Sequence, residues 1–171
     1  MFFIQTMEGI MGSRYLKIIL VLFLALLCLI YGLQNLANLE ACFQSVSYVL
    51  GMSEHTYYAN SWFPAITNSG LVWVCVFIII ALELTAGVLL FLGTLALFKA
   101  RRSDSASFNQ AKSLSLLGAG IGIIVWFGFF GVLGGAWFQM WQTSVGAQSL
   151  GGAFQYFASC VFIWLIVRAD D

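Results

Sequence analysis

In the stretch VFIIIALELTAGVLLFLGTLALF, residues 76–98, a single carboxylate, Glu83, stands in an apolar run that reaches from Leu71 to Phe98. A carboxyl so placed can carry a proton, hold a cation or fasten one helix to another. Few other residues could do chemistry. His55 is the only histidine, which excludes a haem held by two histidines of this chain. Glu54 is its sequence neighbour, too little to make a serine triad. No apolar run holds two carboxylates for paired acid–base work. The four cysteines, Cys28, Cys42, Cys75 and Cys160, form no CxxC pair and show no metal-ligand spacing. They read as small apolar residues, with a Cys42–Cys75 bridge as the alternative. No enzyme activity, cofactor or metal is expected.

The elements that hold Glu83 follow from composition. Hydrophobic residues make up 61 % of the 171 positions and charged residues 8 %, against roughly 25 % charged in a soluble domain. Such a chain cannot cover a water-facing surface with polar groups, so its surface must face lipid. The expectation is one membrane domain over residues 1–171. Zero formal net charge argues against nucleic acid as a partner. The expected partners are the lipid bilayer and either another membrane protein or a second copy of the chain in a homo-oligomer.

A hydrocarbon core about 30 Å thick needs about 20 apolar residues in a helix. Four segments qualify, about 15–36, 70–98, 113–136 and 150–168. The first reads as a signal anchor, because its apolar run is long for a secretory signal and no small-x-small cleavage site follows it. Met7 and Met11 offer alternative starts to Met1. Arg14 and Lys17 precede the first span, Lys99, Arg101, Arg102 and Lys112 lie between the second and third, and Arg168 follows the fourth. Segments 37–69 and 137–149 contain neither Lys nor Arg. Cytoplasmic loops retain basic residues, so the expected placement is the bacterial inner membrane with both termini in the cytoplasm.

In EACFQSVSYVLGM, residues 40–52, Cys42, Phe43, Val46, Val49 and Leu50 recur at helical spacing. That predicts a short amphipathic helix at about 40–51, lying at the interface. Tyr57, Tyr58, Trp62, Phe63 and Trp73, and across from them Trp137, Phe138 and Trp141, read as an aromatic belt at headgroup depth. On the inner side, SFNQAK has the form of a capping box on Ser107 and Gln110, and Lys112 is expected to snorkel to phosphate depth. The glycines of GAGIGIIVWFGFFGVLGG complete no nucleotide loop; Gly118/Gly122 and Gly131/Gly135 predict close helix packing. The fold class is thus an all-α membrane protein, a four-transmembrane-helix bundle with a short amphipathic interfacial helix in the first outer loop.

An acidic residue at helix centre is unfavourable by about 2.5–3.5 kcal/mol on insertion scales, so Glu83 should face protein or water. Counted by depth, Trp126 lies near the middle of the third span and Ser159 near that of the fourth, with Tyr156 about one turn outward. The predicted polar cluster is therefore Glu83, Trp126, Tyr156 and Ser159, with Glu83 bonded to Trp126 or to the Tyr156/Ser159 edge. Tyr31, Gln34 and Asn35 would extend it outward as a polar track, and Trp62, Trp137 and Trp141 form the outer interface. The inner half of the path offers only Thr85 and Thr94 on the second span.

Asn35 at the end of the first span, Glu83, FNQAK at 108–112, WFGFF at 126–130 and GGAWFQMWQT at 134–143 occur together in this order. This set resembles the small bacterial integral membrane proteins grouped as domain-of-unknown-function family 2165, over nearly the whole chain. The family's outer motif often reads GGEWF, where this chain has Ala136. The resemblance implies a four-span inner-membrane protein and no agreed activity. The expected function is an accessory or interaction subunit of a membrane complex; the alternative is a minor transporter or proton-coupled carrier using Glu83.

Overall fold

The chain's one proline, Pro64, lies in a loop, so the long apolar segments keep the continuous backbone hydrogen bonding that lipid demands. The computed structural model describes residues 2–58 and 60–171, with side chains described from residue 11 onward. The side chain of Met7, an alternative start, falls outside them. Among the described residues four helices are long and apolar enough to cross a membrane: Met11–Ala37, Ser69–Ala100, Ser105–Trp137 and Ser144–Arg168. In chain order the elements are α1 (Phe2–Ala37), α2 (Leu39–Leu50), α3 (Ser69–Ala100), α4 (Ser105–Gln110), α5 (Ser113–Ile123) and α6 (Ser144–Arg168). From Ile124 to Trp137 the third span leaves α geometry and winds as a π-helix, in which Phe138 N–H donates to Leu133 O at 2.8 Å. Such widening is usually confined to one turn and is frequent at functional sites.

Helix α1 packs along α3, α3 along α5, α5 along α6, and α6 returns to α1, closing a ring of antiparallel neighbours. The core between them is built from Val21, Leu24, Cys28, Leu90, Val125 and Cys160. Leu16, Phe23, Phe77, Leu95, Phe127, Phe154 and Phe162 are exposed on the outside. An apolar skin on every spanning helix suits lipid as solvent and would aggregate in water. All four cysteines are free, so a Cys42–Cys75 bridge is absent.

Close approach of backbones requires glycine at particular points. A Cβ on Gly93 would lie 2.7 Å from Ser115 N, and one on Gly118 would lie 2.9 Å from Ala86 O. Gly122 meets Cys160 Sγ at 2.8 Å in the same way. The expected Gly118/Gly122 packing is therefore present. Gly131 departs from expectation: a Cβ there would meet nothing nearer than 3.5 Å, because the π-helix turns that position away from its neighbours.

At one end of the bundle three cations are buried together. Arg14 Nε donates to Asp171 Oδ2 at 2.5 Å, and its NH1 donates to Arg101 O at 3.0 Å and Ser103 O at 2.6 Å. Lys17 Nζ and Lys112 Nζ both donate to Ala169 O, at 2.8 and 2.7 Å. Phe108 is fully buried beneath Arg14, whose guanidinium lies 4.7 Å from the ring centroid. Lys112 does not snorkel: it is 3 % exposed, because the turn between α4 and α5 aims it at the returning C-terminal segment. Nor does Ser107 cap the helix. Asp104 is the cap, accepting from Ser107 N at 2.9 Å and from Ser107 Oγ at 2.9 Å. Those two donors hold the Asp104 carboxyl below the ordinary range.

At the far end a helix forms where the periodicity predicts it, as Leu39–Leu50. Its apolar face, however, is spent on protein. Phe43, Val46, Val49 and Leu50 pack with Ile66, Val72, Trp137 and Phe138, and Phe43 stacks on Trp73 with centroids 4.6 Å apart.

Candidate functional site

The residues that could do chemistry converge on a cavity of about 350 Å³ in the half of the bundle away from the basic end. Tyr31 and Asn35 come from α1, Glu83 from α3, Trp126 and Phe130 from the π-helix, and Gln148, Ser149, Gly152, Ala153 and Tyr156 from α6. Glu83 is 2 % exposed, and its Oε2 accepts from Asn35 Nδ2 at 2.9 Å. Oε1 has no protein partner among the described residues and is not sealed from the cavity. Tyr31 and Tyr156 share a hydroxyl–hydroxyl hydrogen bond, with ring centroids 4.7 Å apart. Trp126 meets Tyr156 edge-on at 5.5 Å.

The cavity gathers most of the predicted cluster but not by the predicted bonds. Glu83 bonds to Asn35 and not to Trp126, Tyr156 or Ser159. Tyr156 is engaged by Tyr31, and Ser159 Oγ donates back to Gln155 O at 2.8 Å on its own helix. Gln34 is exposed and does not line the cavity, so the outer track reduces to Tyr31 and Asn35. Gln148 and Ser149 line its outer part and were missed, since they sit in the turn of α6 that sequence reading assigns to a loop.

Depth explains the exchange of partners. Glu83 is central in α3, but α3 overhangs α1, which ends at Ala37, two residues past Asn35. Glu83 stands 18 positions before Arg101, roughly 27 Å at about 1.5 Å per residue. Glu83 is therefore level with Asn35, near the far end of α1.

Towards the basic end the polar path stops. Thr94 Oγ1 is buried and donates back to Leu90 O at 2.9 Å. Ser115 Oγ is buried with no partner among the described residues. Thr85 is exposed on the outer surface and bonds back to Ala81 O at 2.7 Å.

Beyond the cavity the three predicted outer tryptophans separate. Trp62 is 97 % exposed, Trp141 is 42 % exposed, and Trp137 is half-buried against Phe63 and Phe138. The first part of the loop that carries Trp62 is tied down by Gln142 and His55, to which sequence reading gave no structural role. Gln142 Oε1 accepts from the N–H groups of Thr56 and Tyr57, both at 2.9 Å. Its Nε2 donates at 2.6 Å to Oε1 of Gln139, a residue whose backbone lies in the left-handed region at φ 50°. His55 Nε2 lies 2.7 Å from Phe138 O, and since a carbonyl only accepts, Nε2 carries the proton. Replacing Gln142 with alanine removes two hydrogen bonds worth about 1 kcal/mol each and leaves both exposed N–H groups to water. Amide exchange at Thr56 and Tyr57 is expected to accelerate about tenfold or more, with α3 and α6 unchanged, as read by hydrogen exchange.

A second cavity, of about 240 Å³, lies beneath α2 and is lined by Val46, Leu50, Ile79, Phe129, Leu133 and Met140 among other apolar groups. It holds no titratable side chain apart from Cys75.

Comparison with known proteins gives one match. The family model described as predicted small integral membrane protein, domain-of-unknown-function family 2165, matches residues 13–169. No curated protein and no solved structure matches the chain.

Proposed function

The chain belongs to domain-of-unknown-function family 2165, predicted small integral membrane proteins, and from that premise we propose that it is an accessory subunit of a complex in the bacterial inner membrane. All of its Lys and Arg residues, Arg14, Lys17, Lys99, Arg101, Arg102, Lys112 and Arg168, fall in segments that meet at the basic end. Retention of positive charge on the cytoplasmic side supports a topology with that end, and both termini, inside. Helix α2 and the aromatic rim then stand at the outer interface.

The observation that carries the reading is the rim itself. Tyr57, Tyr58, Trp62 and Trp141 are exposed; Gln142 fixes the backbone at Thr56 and Tyr57, and the Tyr57 and Tyr58 rings pack on Trp141. Large aromatics already held in place lose little freedom on docking and are enriched among residues that dominate binding. Glu83 and Asn35 fasten α1 to α3 beneath this surface. In the test, the tagged chain is purified in mild detergent. A stoichiometric partner is expected, reduced at least tenfold by Trp62→Ala combined with Trp141→Ala; absence of any stoichiometric partner would defeat the reading.

The carrier alternative is favoured by the open Oε1 of Glu83 and opposed by the missing polar path towards the basic end. Proton flux in proteoliposomes that Glu83→Gln abolishes would put the carrier in place of the accessory subunit.

A further inference from the structure

We propose that the Glu83 cavity binds an alkylated ammonium group, held between the Glu83 carboxyl and the rings of Tyr31, Trp126, Phe130 and Tyr156. This does not depend on the accessory-subunit reading. The cavity's volume, about 350 Å³, falls at the small end of the roughly 300–1,000 Å³ found for small-molecule sites. One carboxyl oxygen is fixed by Asn35, which sets the direction of the group, and the other is left for a ligand.

The wall composition selects the ligand by elimination. No Lys or Arg lines the cavity, so an anion finds no counter-charge there. Among the described residues no three His, Cys, Asp or Glu side chains come together, so a metal ion lacks a ligand set. A neutral apolar molecule would leave the carboxyl without a counter-charge, and it is better suited by the apolar cavity beneath α2. An alkylated ammonium needs few or no hydrogen-bond acceptors. It needs negative charge at one point and aromatic faces within about 6 Å elsewhere. The Tyr31 and Tyr156 planes differ by 54°, and those of Trp126 and Tyr156 by 61°, so the rings form angled walls and not a flat stack. Gln148 is exposed beside the cavity on the side away from the basic end, so a cation enters without crossing the apolar core.

Such a group can arrive on a free small molecule or on a lipid headgroup. Choline is the probe, titrated calorimetrically into the full chain in phosphatidylglycerol nanodiscs. Saturable binding is expected, with 3,3-dimethylbutan-1-ol, of the same shape without the charge, at least tenfold weaker. Glu83→Gln keeps an oxygen for Asn35 and so preserves the bundle, which an unchanged unfolding midpoint verifies; it should weaken choline binding at least tenfold. The titration repeated in phosphatidylcholine nanodiscs separates the sources. Lost choline binding assigns the site to the headgroup, and unchanged binding assigns it to a free cation. No saturable choline binding, equal binding of the uncharged isostere, or full binding by Glu83→Gln would overturn the proposal.

Discussion

Arg14→Ala is expected to destabilise the bundle by about 3–5 kcal/mol, the usual cost of removing one partner of a buried ion pair. The residue is 5 % exposed and ties two segments to α1: Asp171 after α6, and the Arg101 and Ser103 carbonyls after α3. Its loss leaves the Asp171 carboxyl, whose side chain is 1 % exposed, with only Lys17 Nζ at 3.9 Å. It also uncovers the face of Phe108. Arg14→Lys should recover only part of this, since an ammonium cannot reach the carboxylate and two carbonyls in the fixed fork that a guanidinium presents. Reversible unfolding in mixed micelles measures the difference. Arg14→Ala within about 1 kcal/mol of the parent would mean that the basic end is wet and its hydrogen bonds are exchanged for water.

Gly93→Ala is expected to force α3 and α5 apart. A Cβ at 93 meets Ser115 N at 2.7 Å and Ser115 Cα at 3.0 Å. Those are backbone atoms of α5, so no rotamer change relieves the contact and the two helices must separate. Overpacking of a side-chain core costs about 1–3 kcal/mol, and a backbone clash at a helix crossing lies at or above the top of that range. Gly120→Ala is the matched control, because nothing lies within 4 Å of its Cβ position. The pair should differ sharply in folded yield and unfolding midpoint. Equal behaviour would show that α3 and α5 do not cross at Gly93 and Ser115.

The spans were legible because length and hydropathy suffice to identify a helix that lipid will accept, and α1, α3 and α6 differ from the expected bounds mainly at their ends. The cavity was half legible. Glu83, Asn35, Tyr31, Trp126 and Tyr156 are the rare polar or amphipathic residues of their spans, so their types alone single them out. Their pairing was not legible. Counting depth from the middle of each span assumes that all spans are centred on one plane, and α3 overhangs α1 far enough to bring Glu83 level with Asn35. Helix α2 misleads differently, since periodicity identifies an apolar face without saying whether lipid or protein covers it. Gln142 falls within the GGAWFQMWQT stretch but nothing there marks its partners; its role exists only once the loop after α2 folds back onto the turn before α6.

Glu83 lies in a cavity that opens at the far end of the bundle and is closed towards the basic end. Thiol accessibility in intact cells tests this directly, using single-cysteine variants in a background without the native cysteines. A membrane-impermeant reagent added from outside is predicted to label Gln148→Cys rapidly and Glu83→Cys at a slower but measurable rate, while Ser115→Cys stays unlabelled from either side. Labelling of Ser115→Cys, or labelling of Glu83→Cys only from the cytoplasmic side, would contradict it.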